Sequence, residues 1–435
     1  MLCASLLNAK QGKSFMSIAP SSNPTSNQIR WLQVWSLASV QGAISLTWIA
    51  YAAYLPKFIE QVFAYPPSQA QQFAGLLLVI ESAIAVIVEP LFGGLSDRWQ
   101  RWYSSRMPLI VAGVIGSTAL FIALPAVVVF GGSNEIVRLI LPSLAVLWAM
   151  VMATFRSPVI CLLASFAGAT QLPLAGSVLT LVGGFVGSIR PLATKFILGL
   201  VAPATFTIAS LILLAGVAGL RSAMIHIPKN LNPALENAEP SKIQDFLSNL
   251  AFVMFVGAAI GLGIRLLMGD VLPRALKTDI TGLTGLSFEI LMGSALITQA
   301  LLAVGTGQIS KFIDNKRLMI FSLGGIAAGL GLLAGGYGAI VSLIIILLIL
   351  GFLSAVNNGM VAFALTMVPK PLGGLTVGTF FGGLSGAIAI FGYLVPKSSE
   401  MLSTPNAILL TAIAFLLAGV GIALGERITR KVSFE

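Results

Sequence analysis

Beyond residue 31 the chain is a succession of long apolar runs separated by short polar breaks. The runs fall near 32–55, 71–95, 107–130, 136–164, 173–198, 203–222, 249–269, 286–306, 318–335, 338–364, 374–395 and 405–424. A helix needs about 20 residues to cross a hydrocarbon core. The pattern therefore predicts an all-α membrane protein of twelve transmembrane helices joined by short loops. Two segments interrupt it. Residues 1–30, rich in Ser and Asn with Pro20 and Pro24, lack the apolar core and cleavage pattern of a signal peptide and read as a disordered cytoplasmic tail. The longest polar break, from Arg221 to about Leu247, carries Pro228, Pro233, Pro240 and several charges, and parts six spans from six. The expected organisation is a lobe at 31–222, a cytoplasmic linker at 223–247, a lobe at 248–425 and a tail at 426–435.

Composition excludes a water-soluble globule, since 57% of residues are hydrophobic and 9% charged, against about 25% charged in a soluble domain. The net charge of +10 has no aromatic-interleaved basic patch with it, so a nucleic-acid surface is not expected. Topology accounts for it instead. On one side of the predicted spans lie Lys10, Lys13, Arg30, Arg98, Arg101, Arg106, Arg221, Lys229, Lys242, Lys311, Lys316, Arg317, Lys370, Arg427, Arg430 and Lys431. The other side holds only Lys57, Arg138, Lys195, Arg274, Lys277 and Lys397. By the positive-inside rule both termini are expected in the cytoplasm of a plasma or inner membrane. Cys3 and Cys161 offer neither a disulfide framework nor metal-ligand spacing. No phosphate-binding glycine loop, His pair or nucleophile elbow appears, so no enzyme, cofactor or metal is expected. A monomer driven by an ion gradient or by the solute's own gradient is.

Two inner loops resemble each other: GGLSDRWQRWYSSRMPLI at Gly93–Ile110 and GQISKFIDNKRLMI at Gly307–Ile320. Such an internal repeat is typical of two-lobed transporters. Gly94, Ser96, Asp97, Arg98 and Arg106 resemble the loop motif between helices 2 and 3 of the major facilitator superfamily. The resemblance implies the major facilitator fold, two six-helix lobes that rock around a central solute. A carboxylate and several guanidiniums at a membrane boundary can latch one conformer without deep burial of charge. Gly94, Asp97, Arg98, Arg101 and Arg106 are thus the expected conformational switch. The first half is also similar to the glycoside-pentoside-hexuronide and sucrose symporter branch. This rests on EPLFGGLSDRWQRWYSSRMPLI with Glu89 and Pro90, on VQGAISLTWIAYAAYLP at Val40–Pro56, and on RSPVICLLASF at Arg156–Phe166. That branch implies a sugar or glycoside as solute. Where its sodium-coupled members hold a cation on aspartates, this chain has Ala85, Glu89 and Arg156. A guanidinium among the ligands removes one oxygen and supplies a competing charge, so sodium coupling through that site is not expected.

Charges inside a membrane usually pair. Glu89 and Arg156 fall at similar depth in helices 2 and 4, as a permanent tie between them or as a pair that opens or exchanges a proton during transport. Glu81 lies near mid-depth of helix 2. Arg190, Arg265 and Glu289 form an expected polar gate near the outer side, with separate contacts to headgroups or water as the alternative. Gln41, Trp48, Tyr51, Gln299, Asn357 and Asn358 are the expected substrate-cavity residues, suited to a hydroxylated or planar solute. Gly374, Gly378, Gly382 and Gly386 recur at spacing four, and Gly183 and Gly187 precede Arg190; both sets read as close-packing surfaces. His226 reads as a solvated loop residue. The expected function is secondary active transport of a small organic solute, with protons as a candidate coupling ion. The alternative is a non-transporting membrane sensor or assembly factor.

Overall fold

The computed structural model describes residues 28–132, 134–225, 243–368, 370–396 and 401–432. Residues 1–27 and 433–435, Lys397, and residues 226–242 of the 223–247 linker, His226 among them, lie outside the described residues. Twelve long helices cover the rest: α1 Trp31–Phe63, α2 Pro67–Tyr103, α3 Met107–Gly131, α4 Glu135–Cys161, α5 Leu172–Gly199, α6 Ala202–Ile225, α7 Ile243–Leu266, α8 Phe288–Ile309, α9 Asn315–Leu333, α10 Ala339–Thr366, α11 Gly373–Leu394 and α12 Thr404–Val432. No strand occurs among the described residues. Eleven of the twelve helices contain segments long and apolar enough to cross a membrane on their own. The exception is α1, whose Gln33, Gln41, Lys57, Glu60 and Gln61 dilute its apolar run. It is held by its neighbours α5, α6 and α2. The protein is an integral, multi-pass membrane protein.

Successive helices run in opposite directions. We call the face where α1 begins and the α2–α3 turn lies the tail face, and the opposite one the far face. Within the first half α1 packs on α5 and α6, α2 on α4, and α3 on α4 and α6. Within the second half α11 packs on α7, α9 on α10 and α12, and α8 on α10. The halves meet along two seams, α2 on α11 and α5 on α8, with a further contact of α5 on α10. Prolines inside the helices, such as Pro90 in α2 and Pro158 in α4, are tolerated because neighbouring helices shield the freed backbone groups.

Two elements depart from the pattern the sequence predicts. The predicted break after residue 95 is absent, because α2 runs on for 37 residues to Tyr103, about 55 Å at 1.5 Å per residue. Gly94, Asp97, Arg98 and Arg101 therefore stand on the final turns of a helix that overhangs the hydrocarbon, and only Arg106 lies in the turn. The second is α7, which continues to Thr284 through π-helical stretches at Leu267–Val271 and Leu276–Ile280 flanking Leu272–Ala275. Pro273 cannot donate to the carbonyl four residues before it. Wider turns absorb the mismatch, and such turns concentrate at functional sites.

Candidate functional site

A cavity of about 1140 Å³ lies between the halves, walled by α1, α2, α4 and α5 on one side and by α7, α8 and α11 on the other. Toward the far face its lining reaches Arg190, Met268, Gly269, Pro273, Ser287 and Glu289. Its deepest residues are Glu89 and Arg156. Below these the helices press together and close the tail face.

That closure is backbone against backbone. A Cβ at Gly93 would stand 2.1 Å from the carbonyl oxygen of Gly374, and one at Gly378 2.2 Å from that of Glu89. Only glycine permits the approach. Gly382 meets the Val86 carbonyl and Gly386 the Val86 side chain, so the whole stripe at spacing four faces α2. On the second seam Gly307 of α8 packs on Ser177 and Gly176 of α5 on the backbone of Asn358 in α10. Gly183 and Gly187 differ from the packing surface read in the sequence: nothing lies within 4 Å of a Cβ built there, and both line the cavity.

Asp97 seals the tail face chemically. The first turn of α11 has no side-chain cap of its own, which leaves amides seeking acceptors. Asp97 supplies them from the other half, with Gly374 N donating to Oδ1 at 2.9 Å and Leu375 N to Oδ2 at 2.8 Å. Arg106 donates to the same carboxylate. Asp97 is 1% exposed and Arg106 6%, while Arg98 and Arg101 are exposed. An anion at a helix N-terminus with a buried guanidinium behind it is stabilised by both. The related loop of the second half builds no such latch: Asp314 caps its own helix, accepting from Lys316 N at 3.1 Å.

At the cavity floor Arg156 Nη1 donates to Glu89 Oε1 at 3.1 Å, and Ser157 Oγ donates to Glu89 Oε2 at 3.5 Å. The Glu89 side chain is 1% exposed, whereas that of Arg156 is 29% exposed and lies 4.8 Å from the ring centre of Phe381 on α11. The pair thus ties α2 to α4 and touches the opposite half. Ala85 and Gln41 line the same region.

Higher up, Tyr51 does not line the cavity as the sequence reading expected but lies buried behind its wall and donates to Glu81 Oε1, while Glu81 Oε2 meets no donor. Trp48 stands on the wall beside them, its ring 4.8 Å from that of the fully buried Trp148, which in turn stacks on Phe121. This aromatic stack runs on to Phe206 in α6 and makes the wall rigid.

Of the remaining residues singled out above, Arg190 and Glu289 line the cavity near the far face, and Arg265 does not. Arg265 pairs instead with Asp270 at 3.4 Å, and Arg274 approaches Asp270 at 3.8 Å and donates to the Leu402 carbonyl at 2.8 Å. Residues five apart point about 140° away from each other in a regular α-helix; the π-turn brings Asp270 round to Arg265. Sequence reading missed this buried acid, 1% exposed. Its signal was Arg265, Asp270, Pro273 and Arg274 within ten residues of an apolar helix. Gln299, Asn357 and Asn358 do not line the cavity. Asn358 instead joins α10 to α8, donating to Ala303 O at 2.8 Å and to Thr306 Oγ1 at 3.0 Å. The main-chain carbonyl of Gln299 accepts from Ser354 Oγ at 2.7 Å.

No protein-family model and no curated protein matches the chain. Solved structures do. The human organic anion transporter MFSD10 (TETRAN) aligns with a TM-score of 0.63 at 13% identity, covering 90% of this chain and 99% of that one. A bacterial homologue of the iron transporter ferroportin in its outward-facing state aligns with a TM-score of 0.65 at 15% identity, covering 91% and 99%. A ferroportin homologue in the same state with soaked iron gives 0.64 at 15% identity, covering 90% and 98%. Two halves of six helices around a central cavity, shared along almost the whole of these chains, are the major facilitator fold.

Proposed function

We propose that the chain is a carrier that moves a small organic solute by alternating access, with the cavity as its solute site. One observation carries the reading: the cavity is walled by both halves and closed on one face by contacts between them. Closure made of glycine crossings and one carboxylate on helix amides can open without leaving large apolar surfaces bare. The tail face is read as cytoplasmic, with the lobe boundaries at 31–222 and 248–425, so that the conformer is outward-facing. The positive residues support this orientation. A cysteine placed in the 221–247 connection is expected to react with an impermeant maleimide only after the membrane is opened. Reaction from outside intact cells would overturn the orientation.

Sodium is not the coupling ion in this reading, because Arg156 occupies the electrostatic place of a cation beside Glu89. Glu81 and Glu89 are the candidate proton carriers. The sugar or glycoside implied by the branch resemblance loses support, since Gln299, Asn357 and Asn358 do not line the cavity and the Asn358 amide is engaged between α8 and α10. Nor is the iron of the ferroportin homologues carried over. A divalent metal takes several carboxylate, imidazole or thiolate ligands, and no three such side chains come together among the described residues.

The test is uptake into proteoliposomes of labelled sugars, nucleosides, organic anions and organic cations, with and without a pH gradient and with and without sodium. Accumulation of one class, indifferent to sodium, is the expected result. The absence of uptake or exchange of every class would favour the non-transporting alternative, for which the loss of acidic cation ligands at Ala85 and Arg156 is the supporting observation.

A further inference from the structure

We infer that Glu81 is the recognition point for a protonated amine borne on an aromatic or apolar body; this rests on reading the cavity as the solute site and names the class of solute. Glu81 lines the cavity yet is only 5% exposed. One carboxyl oxygen takes the Tyr51 hydroxyl, and the other has no donor among the described residues. A buried acceptor left open is costly, and an N–H donor from a solute completes it.

The charges along the cavity point to the same chemistry. Its lining holds three carboxylates, Glu81, Glu89 and Glu289, against two guanidiniums, Arg156 and Arg190. Glu89 and Arg156 neutralise each other at the floor. Arg190 and Glu289 stand toward the far face with one charge of each sign. Glu81 is what remains. It lies eight residues above Glu89 on α2, about 12 Å along the axis, so the guanidinium at the floor is well removed from it.

The wall at that level suits an organic cation rather than a small ion. Trp48 presents its ring to the cavity, set edge-on to Tyr51 at 5.8 Å and braced by Trp148. Tryptophan is the aromatic that attracts cations best. Ala149, Met152 and Leu384 complete an apolar surroundings for the rest of the solute, and Met adapts to irregular shapes. A carboxylate solute would face Glu81 with like charge. At that level a polyol would find Gln41, Ser45, Ser82 and Ser385, and the Ser45 and Ser82 hydroxyls already donate to the main-chain carbonyls of Gln41 and Leu78.

Three probes sharing one indole ring test the inference: tryptamine, tryptophol and indole-3-acetate carry an ammonium, a hydroxyl and a carboxylate. Each is titrated against the thermal unfolding of purified full-length protein in detergent, where a ligand that binds the native state raises the midpoint. Tryptamine is expected to bind at least about tenfold more tightly than tryptophol, and indole-3-acetate least. Glu81→Gln should bring tryptamine to the affinity of tryptophol, and Glu81→Asp should keep tryptamine ahead. The inference is overturned if indole-3-acetate equals tryptamine, if tryptamine fails to stabilise at millimolar concentration, or if Glu81→Gln binds it as wild type does. Should Glu81→Gln not fold, the ranking in wild type decides alone. Binding in this order without exchange in proteoliposomes would refute the carrier and leave the Glu81 site standing. Uptake without preference for the ammonium would do the reverse.

Discussion

Arg156→Gln is expected to be the most damaging single change in the cavity, worse than Glu89→Gln, and the double change is expected to be milder than either. Removing one member of a buried ion pair leaves an uncompensated charge, at a cost of about 3–5 kcal/mol in a fully buried site. The two partners are not equally buried. The Glu89 side chain is 1% exposed and has only Ser157 to fall back on, whereas that of Arg156 is 29% exposed and opens to the cavity. A stranded Arg156 can turn to cavity water, which discounts its penalty; a stranded Glu89 cannot. Two glutamines leave neutral amides that can bond to each other. Midpoints of thermal unfolding for the four proteins, with expression at matched induction, read the cycle. If the double mutant is no more stable than the worse single one, the two residues are not coupled as the geometry requires. A double mutant that is stable but inactive would show that the pair takes part in transport as well as in folding.

The second large effect is expected at Asp97, whose carboxylate holds Gly374 N, Leu375 N and Arg106 at once. Asp97→Asn replaces one acceptor by an N–H pair facing donors and leaves Arg106 buried without its charge partner. Hydrogen bonds to charged groups contribute about 1.5–3 kcal/mol each, and 1.4 kcal/mol is tenfold in a population. The closed tail face should therefore open at least about tenfold more often. The chain supplies its own reporter in Cys161, which is 3% exposed and lies 3.2 Å from where a Cβ on Gly373 would sit. In a Cys3→Ser background, Asp97→Asn should speed the reaction of Cys161 with a small maleimide by that factor, while uptake falls. An unchanged rate with unchanged uptake at matched expression would remove Asp97 from the switch. Arg98→Gln and Arg101→Gln, at exposed positions, should have little effect on either measurement.

Twelve apolar runs of spanning length are a local property, because a helix in lipid satisfies its own backbone and needs only enough apolar residues in a row. The sequence alone therefore determined the number of long helices and the all-α class, and the repeated loop with Asp97 placed the chain among two-lobed architectures. The glycine stripe of α11 was likewise legible as a packing surface, since spacing four puts small residues on one side of a helix wherever it lies. Depth along a helix follows from counting residues, and this brought Glu89 and Arg156 to one level before any contact was known. What only the tertiary structure decided is which way side chains face once helices are set against one another. Counting could not tell that Asn358 turns into the α8–α10 contact, that Gln299 stays out of the cavity, or that Gly183 and Gly187 face open space. Nor could it tell that Asp97 reaches across 277 residues of chain to cap α11. Asp270 shows the limit most sharply, because a π-turn made by Pro273 rotates it onto Arg265, and a regular 3.6-residue period points it elsewhere.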